Sequence, residues 1–264
     1  MDTINAIILG IIQGLTEFLP ISSSGHLEIA KVILSDKNIG EQSMLMTVVL
    51  HGATALSTIY IFRHDIYDII RGLYSGVKQD MFFSIKIILS MIPAVFLGLI
   101  WEDKIEKLFN GNLQLVGSML IITSILLFFA EKSKSSKKNV GFLDSIIIGV
   151  FQAIAILPGI SRSGSTISIS VLLGIDKEKS ARFSFLMVVP LILGKIIKDL
   201  YSGEINFTNT ESLPLLIGFI SSFIVGVIAC KLMIKIVKKS KLKYFAYYCI
   251  IIGLSIIIYH NLNA

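Results

Sequence analysis

Apolar residues run along this chain in long blocks cut by short polar turns, and the blocks come in two lengths. Six of them, at 44–62, 84–100, 113–130, 183–200, 214–234 and 244–259, approach the roughly 20 residues that a membrane-spanning helix needs. Four more, at 4–19, 27–34, 143–157 and 167–175, are too short to cross and form two pairs, each divided by a polar, glycine-bearing turn. Such pairs predict re-entrant helical hairpins, which a bilayer tolerates only where protein or a wet cavity surrounds the break. Tyr244 and Tyr259, at the two ends of the last block, read as interfacial anchors. The expected fold is an all-α polytopic membrane protein of about six transmembrane helices plus two re-entrant hairpins, one integral membrane domain over 1–264.

Composition agrees with the pattern. Of 264 residues, 54% are hydrophobic and 16% charged, with a mean hydropathy of +0.80, whereas a soluble domain averages roughly a quarter charged residues. The N-terminus has no basic region ahead of its first apolar block, so no cleavable signal is expected. Cys230 and Cys249 lie in different blocks without metal-ligand spacing and read as free packing residues. Net charge is +6, but the lysines cluster in short connections, which argues against nucleic-acid binding and instead sets orientation. The lysine-rich connections 131–142 and 235–243 are expected in the cytoplasm, and the acidic connection 201–213, with Glu204 and Glu211, outside. Counting back puts 63–83 inside and both 101–112 and 35–43 outside. The first hairpin then enters from outside and the second from the cytoplasm.

The first polar turn, Q-G-L-T-E-F-L-P-I-S-S-S-G-H at 13–26, gathers an amide, a carboxylate, three hydroxyls, a glycine and an imidazole. Gln13 and Glu17 share one helical face, and Gly10 and Gly14 on the same face make it small enough to pack closely on another helix. Pro20 and the serines that follow break the helix, and Pro-x-Ser-Ser is also a helix-start signal.

The second turn, P-G-I-S-R-S-G-S-T at 158–166, superimposes on the first after a shift of 139 residues: Gly10 falls on Gly149, Gln13 on Gln152, Ser22 on Ser161, Ser24 on Ser163 and Gly25 on Gly164. Hairpins entering from opposite faces make this an inverted-topology repeat, with halves of roughly 1–138 and 139–264 and a site near the midplane where the tips meet. The copies differ where chemistry would differ. Glu17 is matched by Ile156, Ser23 by Arg162 and His26 by Ser165. One copy thus holds acid–base groups and the other a cation among hydroxyls. An ionisable residue at membrane depth is a functional candidate by default, and a purely structural Glu17–Arg162 ion pair would account for neither the imidazole nor the hydroxyls.

These two motifs, together with F-S-F-L-M-V-V-P at 183–190 and I-P-A-V at 92–95, resemble those of the bacterial undecaprenyl-pyrophosphate phosphatases of the bacitracin-resistance type. The resemblance runs from Asn5 to the last block. It implies hydrolysis of the carrier lipid's pyrophosphate to the monophosphate and inorganic phosphate, which recycles the carrier for cell-wall synthesis. It also implies a bacterial plasma-membrane location, a polyprenyl pyrophosphate substrate, support by a divalent cation (Mg²⁺ or Ca²⁺), and a chain compatible with a homo-oligomer. By position, Ser23 and His26 fall on the family's catalytic hydroxyl and imidazole, Glu17 and Gln13 on its acid-rich motif, and Arg162 on its phosphate-binding arginine. Ser22, Ser24, Ser161, Ser163, Thr166 and Gln13 are the expected further phosphate-binding groups, and Glu17 the expected metal ligand. Gln13 departs from the second Glu of many members, which leaves one strong carboxylate. Glu28 departs too, at a position expected to be apolar, and is expected to face the outer aqueous side.

The residue types suit that reaction. Arg162 offers a planar fork to phosphate oxygens, and helices starting at the turns add free N–H groups. Ser23 is a nucleophile if a base takes its proton, and His26 is the nearest candidate in sequence. Glu17 would fix the imidazole or hold the cation. Phosphoserine chemistry and attack by activated water both fit. The other large lipid-phosphatase family is excluded, because no histidine follows Ser161-Arg162. A transporter or flippase of polyprenyl phosphates is the rival, since inverted repeats are transporter features. Orientation is open to direct measurement. In a background lacking Cys230 and Cys249, single cysteines at Lys138 and Lys239 are expected to be shielded from an outside-only thiol reagent in intact cells, and one at Glu204 to be labelled. Outside labelling at Lys239 would invert the topology.

Overall fold

A computed structural model describes residues 3–34, 40–109, 111–133, 137–201, 212–239 and 241–263. Glu204 and Glu211, most of the 35–43 connection and the middle of the lysine-rich 131–138 stretch therefore lie outside the described residues. Among those described, structure is helical throughout except for turns and one isolated parallel bridge between Lys138 and Ile175. The short pairs form hairpins: α1 (Thr3–Phe18) with α2 (Ser23–Leu34), and α8 (Phe142–Ile154) with α9 (Arg162–Leu172). The long helices are α3 (Gly40–Ile61), α5 (Lys78–Ile100), α7 (Leu113–Glu131), α10 (Lys177–Tyr201), α11 (Ser212–Lys238) and α12 (Lys243–Asn263). Five are long and apolar enough to cross a membrane, and α3 makes a sixth with α4 (Arg63–Tyr74), into which it bends by 74°. The outside of the bundle is apolar, with Ile88, Phe96, Leu99, Ile228 and Ile251 each 60% exposed or more. Lipid is the solvent such a surface requires.

Two local features differ from the sequence reading. The second arms begin ahead of the apolar blocks at 27–34 and 167–175: Ser23 and Arg162 open α2 and α9, so the polar residues form first helical turns. The 63–83 connection contains α4, whose Ile66 and Ile69 pack on the core while Tyr67, Ile70 and Tyr74 are exposed. Its two-faced pattern is that of a helix lying along an interface. A third short helix, α6 (Glu102–Glu106), follows α5.

The halves pack as mirror arrangements of helix direction. Adding 139 to the bounds of α1, α2 and α3 carries them onto α8, α9 and α10. The matched long helices meet antiparallel: Gly52 of α3 and Phe62, just past its end, face Ile196 and Phe185 of α10. In α7 and α12, Gly117 and Gly253 are reciprocal neighbours, and Ser124 Oγ donates to the Ala246 carbonyl at 2.7 Å. Each hairpin is seated by glycine on a long helix of the other half, α1 on α11 and α8 on α5. A Cβ on Gly14 would stand 2.6 Å from the Ser222 carbonyl oxygen, and one on Gly149 would stand 2.5 Å from that of Ser90. The face of Gly10 and Gly14 is thus the close-packing face its composition predicts. Because a backbone carbonyl on a neighbouring helix cannot step aside, Gly149→Ala is expected to destabilise the protein by about 1–3 kcal/mol. Gly98→Ala, where nothing lies within 4 Å, is the control. Thermal unfolding in detergent measures both.

Candidate active site

The hairpin tips meet inside the bundle. Pro20 ends the first arm, and Ser22 then adopts a left-handed backbone, φ 71°, which costs a non-glycine residue of order 1–3 kcal/mol and marks functional sites. Ser22 Oγ accepts the Gly25 N–H at 3.2 Å, as Ser161 Oγ, from an extended backbone, accepts the Gly164 N–H at 3.0 Å. Each capping serine also touches the next hydroxyl but one, Ser24 or Ser163, at 3.3 Å. The second tip holds the first through Ser163 Oγ, which donates to the Leu19 carbonyl at 3.2 Å. Thr123 of α7 steadies the second tip by accepting the Ser161 N–H at 3.0 Å.

Between the tips lies Glu17, its side chain 6% exposed. Its Oε1 pairs with Arg162 Nη2. Its Oε2 accepts from Ser23 Oγ at 2.7 Å and from Gln13 Nε2 at 3.0 Å, and His51 Nε2 of α3 stands 3.9 Å away. Burying a carboxylate is costly unless it is paired and hydrogen-bonded, and here four side chains from α1, α2, α3 and α9 surround it. Ser23, Arg162 and His51 remain partly exposed, so the ring is open on one side.

The structure redistributes several predicted roles. His26 does not hydrogen-bond Ser23. Its Nδ1 lies 2.8 Å from the Ser22 carbonyl oxygen and its Nε2 2.8 Å from Tyr248 Oη, so both ring nitrogens are engaged away from the serine. The side chain that accepts the Ser23 hydroxyl is Glu17, because α1 and the tip turn the two side chains toward each other while His26 points to α12. Ser22, Ser161, Ser163 and Thr166 are buried, and their hydroxyls serve capping, tip-to-tip contact or, for Thr166, a 2.6 Å contact with Ser184. They scaffold the turns that present Arg162 and Ser23 and leave Ser24, partly exposed, as the hydroxyl beside them. Glu28 is buried rather than facing water, held by Lys31 at 3.0 Å and by the Gly111 N–H at 3.2 Å. His51 and Tyr248 were not assigned to the site from sequence. An ionisable residue within a spanning block was the available signal for His51, and nothing local marks Tyr248.

For a cation, no group of three or more His, Cys, Asp or Glu stands together among the described residues. The donors at hand are the Glu17 carboxylate and Gln13 Oε1, which is buried without a hydrogen-bond partner. This is a hard-oxygen set that suits Mg²⁺ or Ca²⁺ when a phosphate supplies the remaining oxygens.

The chain matches known proteins along nearly its whole length. The family described as bacitracin resistance protein BacA matches residues 6–255. The undecaprenyl-diphosphatase of Christiangramia forsetii is 58% identical over 98% of both chains, and that of Bacteroides fragilis 45% identical over 100% of both. That of Methanococcus vannielii is 38% identical over 96% of this chain and 98% of its own. If Glu17 is charged and held mainly by Arg162, Arg162→Met strands a buried carboxylate and costs about 3–5 kcal/mol. Adding Glu17→Gln to that variant should recover most of the loss. Chemical denaturation in detergent is the measurement, and a double variant no more stable than Arg162→Met would refute the pairing.

Proposed function

The chain belongs to the bacitracin resistance protein family, and on that premise we propose that it hydrolyses undecaprenyl diphosphate to undecaprenyl phosphate and inorganic phosphate. The observation that carries the chemistry is the 2.7 Å hydrogen bond from Ser23 Oγ to Glu17 Oε2, made beside Arg162. Ser23 Oγ attacks the terminal phosphorus as its proton passes to Glu17. The bond from that phosphorus to the bridging oxygen breaks, and its electron pair leaves with the lipid monophosphate. Water then hydrolyses the phosphoserine, releasing inorganic phosphate and restoring the hydroxyl. Arg162 has further guanidinium donors beyond the one on Glu17, and these suit the phosphoryl oxygens that gain charge. Glu17 and Gln13 would hold a divalent cation, which supplies charge neutralisation for the diphosphate when bound.

A carrier of polyprenyl phosphates would need Arg162, but not a serine hydroxyl delivered onto a buried carboxylate. That contact favours the hydrolase. A bacterial plasma membrane follows as the location from the carrier-lipid substrate, and the multi-pass fold suits it.

Purified protein in detergent, given a polyprenyl diphosphate, is expected to release phosphate, and failure to do so would favour the carrier. Ser23→Ala is expected to be inactive. Ser24→Ala, which removes one neighbouring donor, should lose no more than on the order of 10²–10³ in rate. Rapid acid quench with substrate labelled in the terminal phosphate should leave label on the peptide containing Ser23. Substantial turnover by Ser23→Ala would instead make water the attacking group.

A further inference from the structure

Tyr248 lies outside both motifs, yet its side chain meets His26 across 222 positions of sequence. The atoms decide who donates. His26 Nδ1 faces the Ser22 carbonyl oxygen at 2.8 Å, and a carbonyl only accepts, so Nδ1 carries a hydrogen. In the neutral ring Nε2 is then a lone pair, and the phenol 2.8 Å away donates its O–H to it. The rings lie nearly parallel, 14° apart with centroids separated by 5.6 Å. Position is set on both sides of the tyrosine. The buried Ala246 carbonyl takes the Ser124 hydroxyl of α7, and the buried Cys249 thiol points at the Pro20 carbonyl of the first tip, 3.7 Å away. Tyr248 itself is 38% exposed, between the exposed Tyr244, Tyr247 and Ile251 on the outer side of α12. The phenol therefore reaches inward from a lipid-facing surface to the second nitrogen of the imidazole.

Resting on the hydrolase reading above, we propose that Tyr248 is the positioning residue of His26. It fixes the direction of Nε2 and holds the imidazole at the lipid-facing edge of the site, the side from which a membrane-borne diphosphate arrives. It acts through His26, which in this reading assists the water that hydrolyses the phosphoserine, and it makes no hydrogen bond to the Ser23–Glu17 pair. Removing only the hydroxyl, by Tyr248→Phe, is expected to lower kcat about tenfold, the order of one hydrogen bond, with KM within about twofold. In a His26→Gln background the same change should have no further effect. Tyr247→Phe, one residue away and packed on Phe128, should leave activity unchanged.

The direct readout is the 15N resonance of His26 Nε2 in histidine-labelled protein, assigned by its loss in His26→Gln. It should move in Tyr248→Phe and stay in place in Tyr247→Phe. An unmoved resonance, unchanged kcat in Tyr248→Phe, or an equal loss with His26 already replaced would each overturn the role. A defect confined to KM would overturn it too, by making the phenol a substrate contact. If the parent protein releases no phosphate at all, the hydrolase reading fails instead, and the resonance still reports whether the contact exists.

Discussion

A carboxylate buried at the meeting point of two broken helices has to be compensated, and the structure is organised by how Glu17 is compensated. Arg162 comes from the other half of the chain, Ser23 from across the tip, Gln13 from one turn back and His51 from the first long helix. Gln13 reaches Glu17 along α1 and Ser23 reaches it across its own tip, but Arg162 reaches it only where the two hairpin tips touch. The tips touch because Gly10, Gly14 and Gly149 let the supporting helices approach to backbone contact, a close packing available only to residues without a side chain. The same ion pair that stabilises the tips brings a hydroxyl, a carboxylate and a guanidinium together.

The two halves share a scaffold and divide the chemistry. Both hairpins cap their second arm with a serine on a glycine N–H, and both carry a buried glutamine whose amide oxygen has no hydrogen-bond partner, at Gln13 and Gln152. Where the first copy has Ser23, the second has Arg162. The backbone arrangement that orients a hydroxyl in one half therefore orients a guanidinium in the other. Because Glu17 is matched by Ile156 and Arg162 by Ser23, the repeat sets one carboxylate against one cation.

The histidines illustrate how helix geometry sets chemistry. His26 and His51 each hold a carbonyl four residues back through Nδ1, from Ser22 and Thr47 at 2.8 Å. This leaves Nε2 as the nitrogen that faces outward from the helix. In His51 it faces Glu17; in His26 it meets Tyr248. One local rule places Nδ1 of both imidazoles on a carbonyl, and the packing of α3 and α12 gives their Nε2 atoms different neighbours.

Much of this was legible in the sequence. Block lengths revealed the long helices and the two hairpins, because hydrocarbon thickness dictates how many apolar residues a span needs. The repeat and the identities of Glu17, Ser23, Arg162 and His26 could be read from motif spacing. The small face at Gly10 and Gly14 could be read too, since helical periodicity is a local property. What sequence reasoning assigned by nearness along the chain came out differently. His26 is three residues from Ser23, yet the carboxylate six residues upstream takes the hydroxyl. Ser22 and Ser161, read from sequence as phosphate-binding groups, cap helices, and buried Glu28 is held by a glycine N–H distant in sequence. The direction of a side chain at a helix break depends on the backbone of that break, and its partner depends on which helix packs there. Motif spacing thus determined the inventory of reactive groups, and only the packed tips decided which of them touch, because contacts spanning 145 and 222 positions exist only after the two halves have closed on one another.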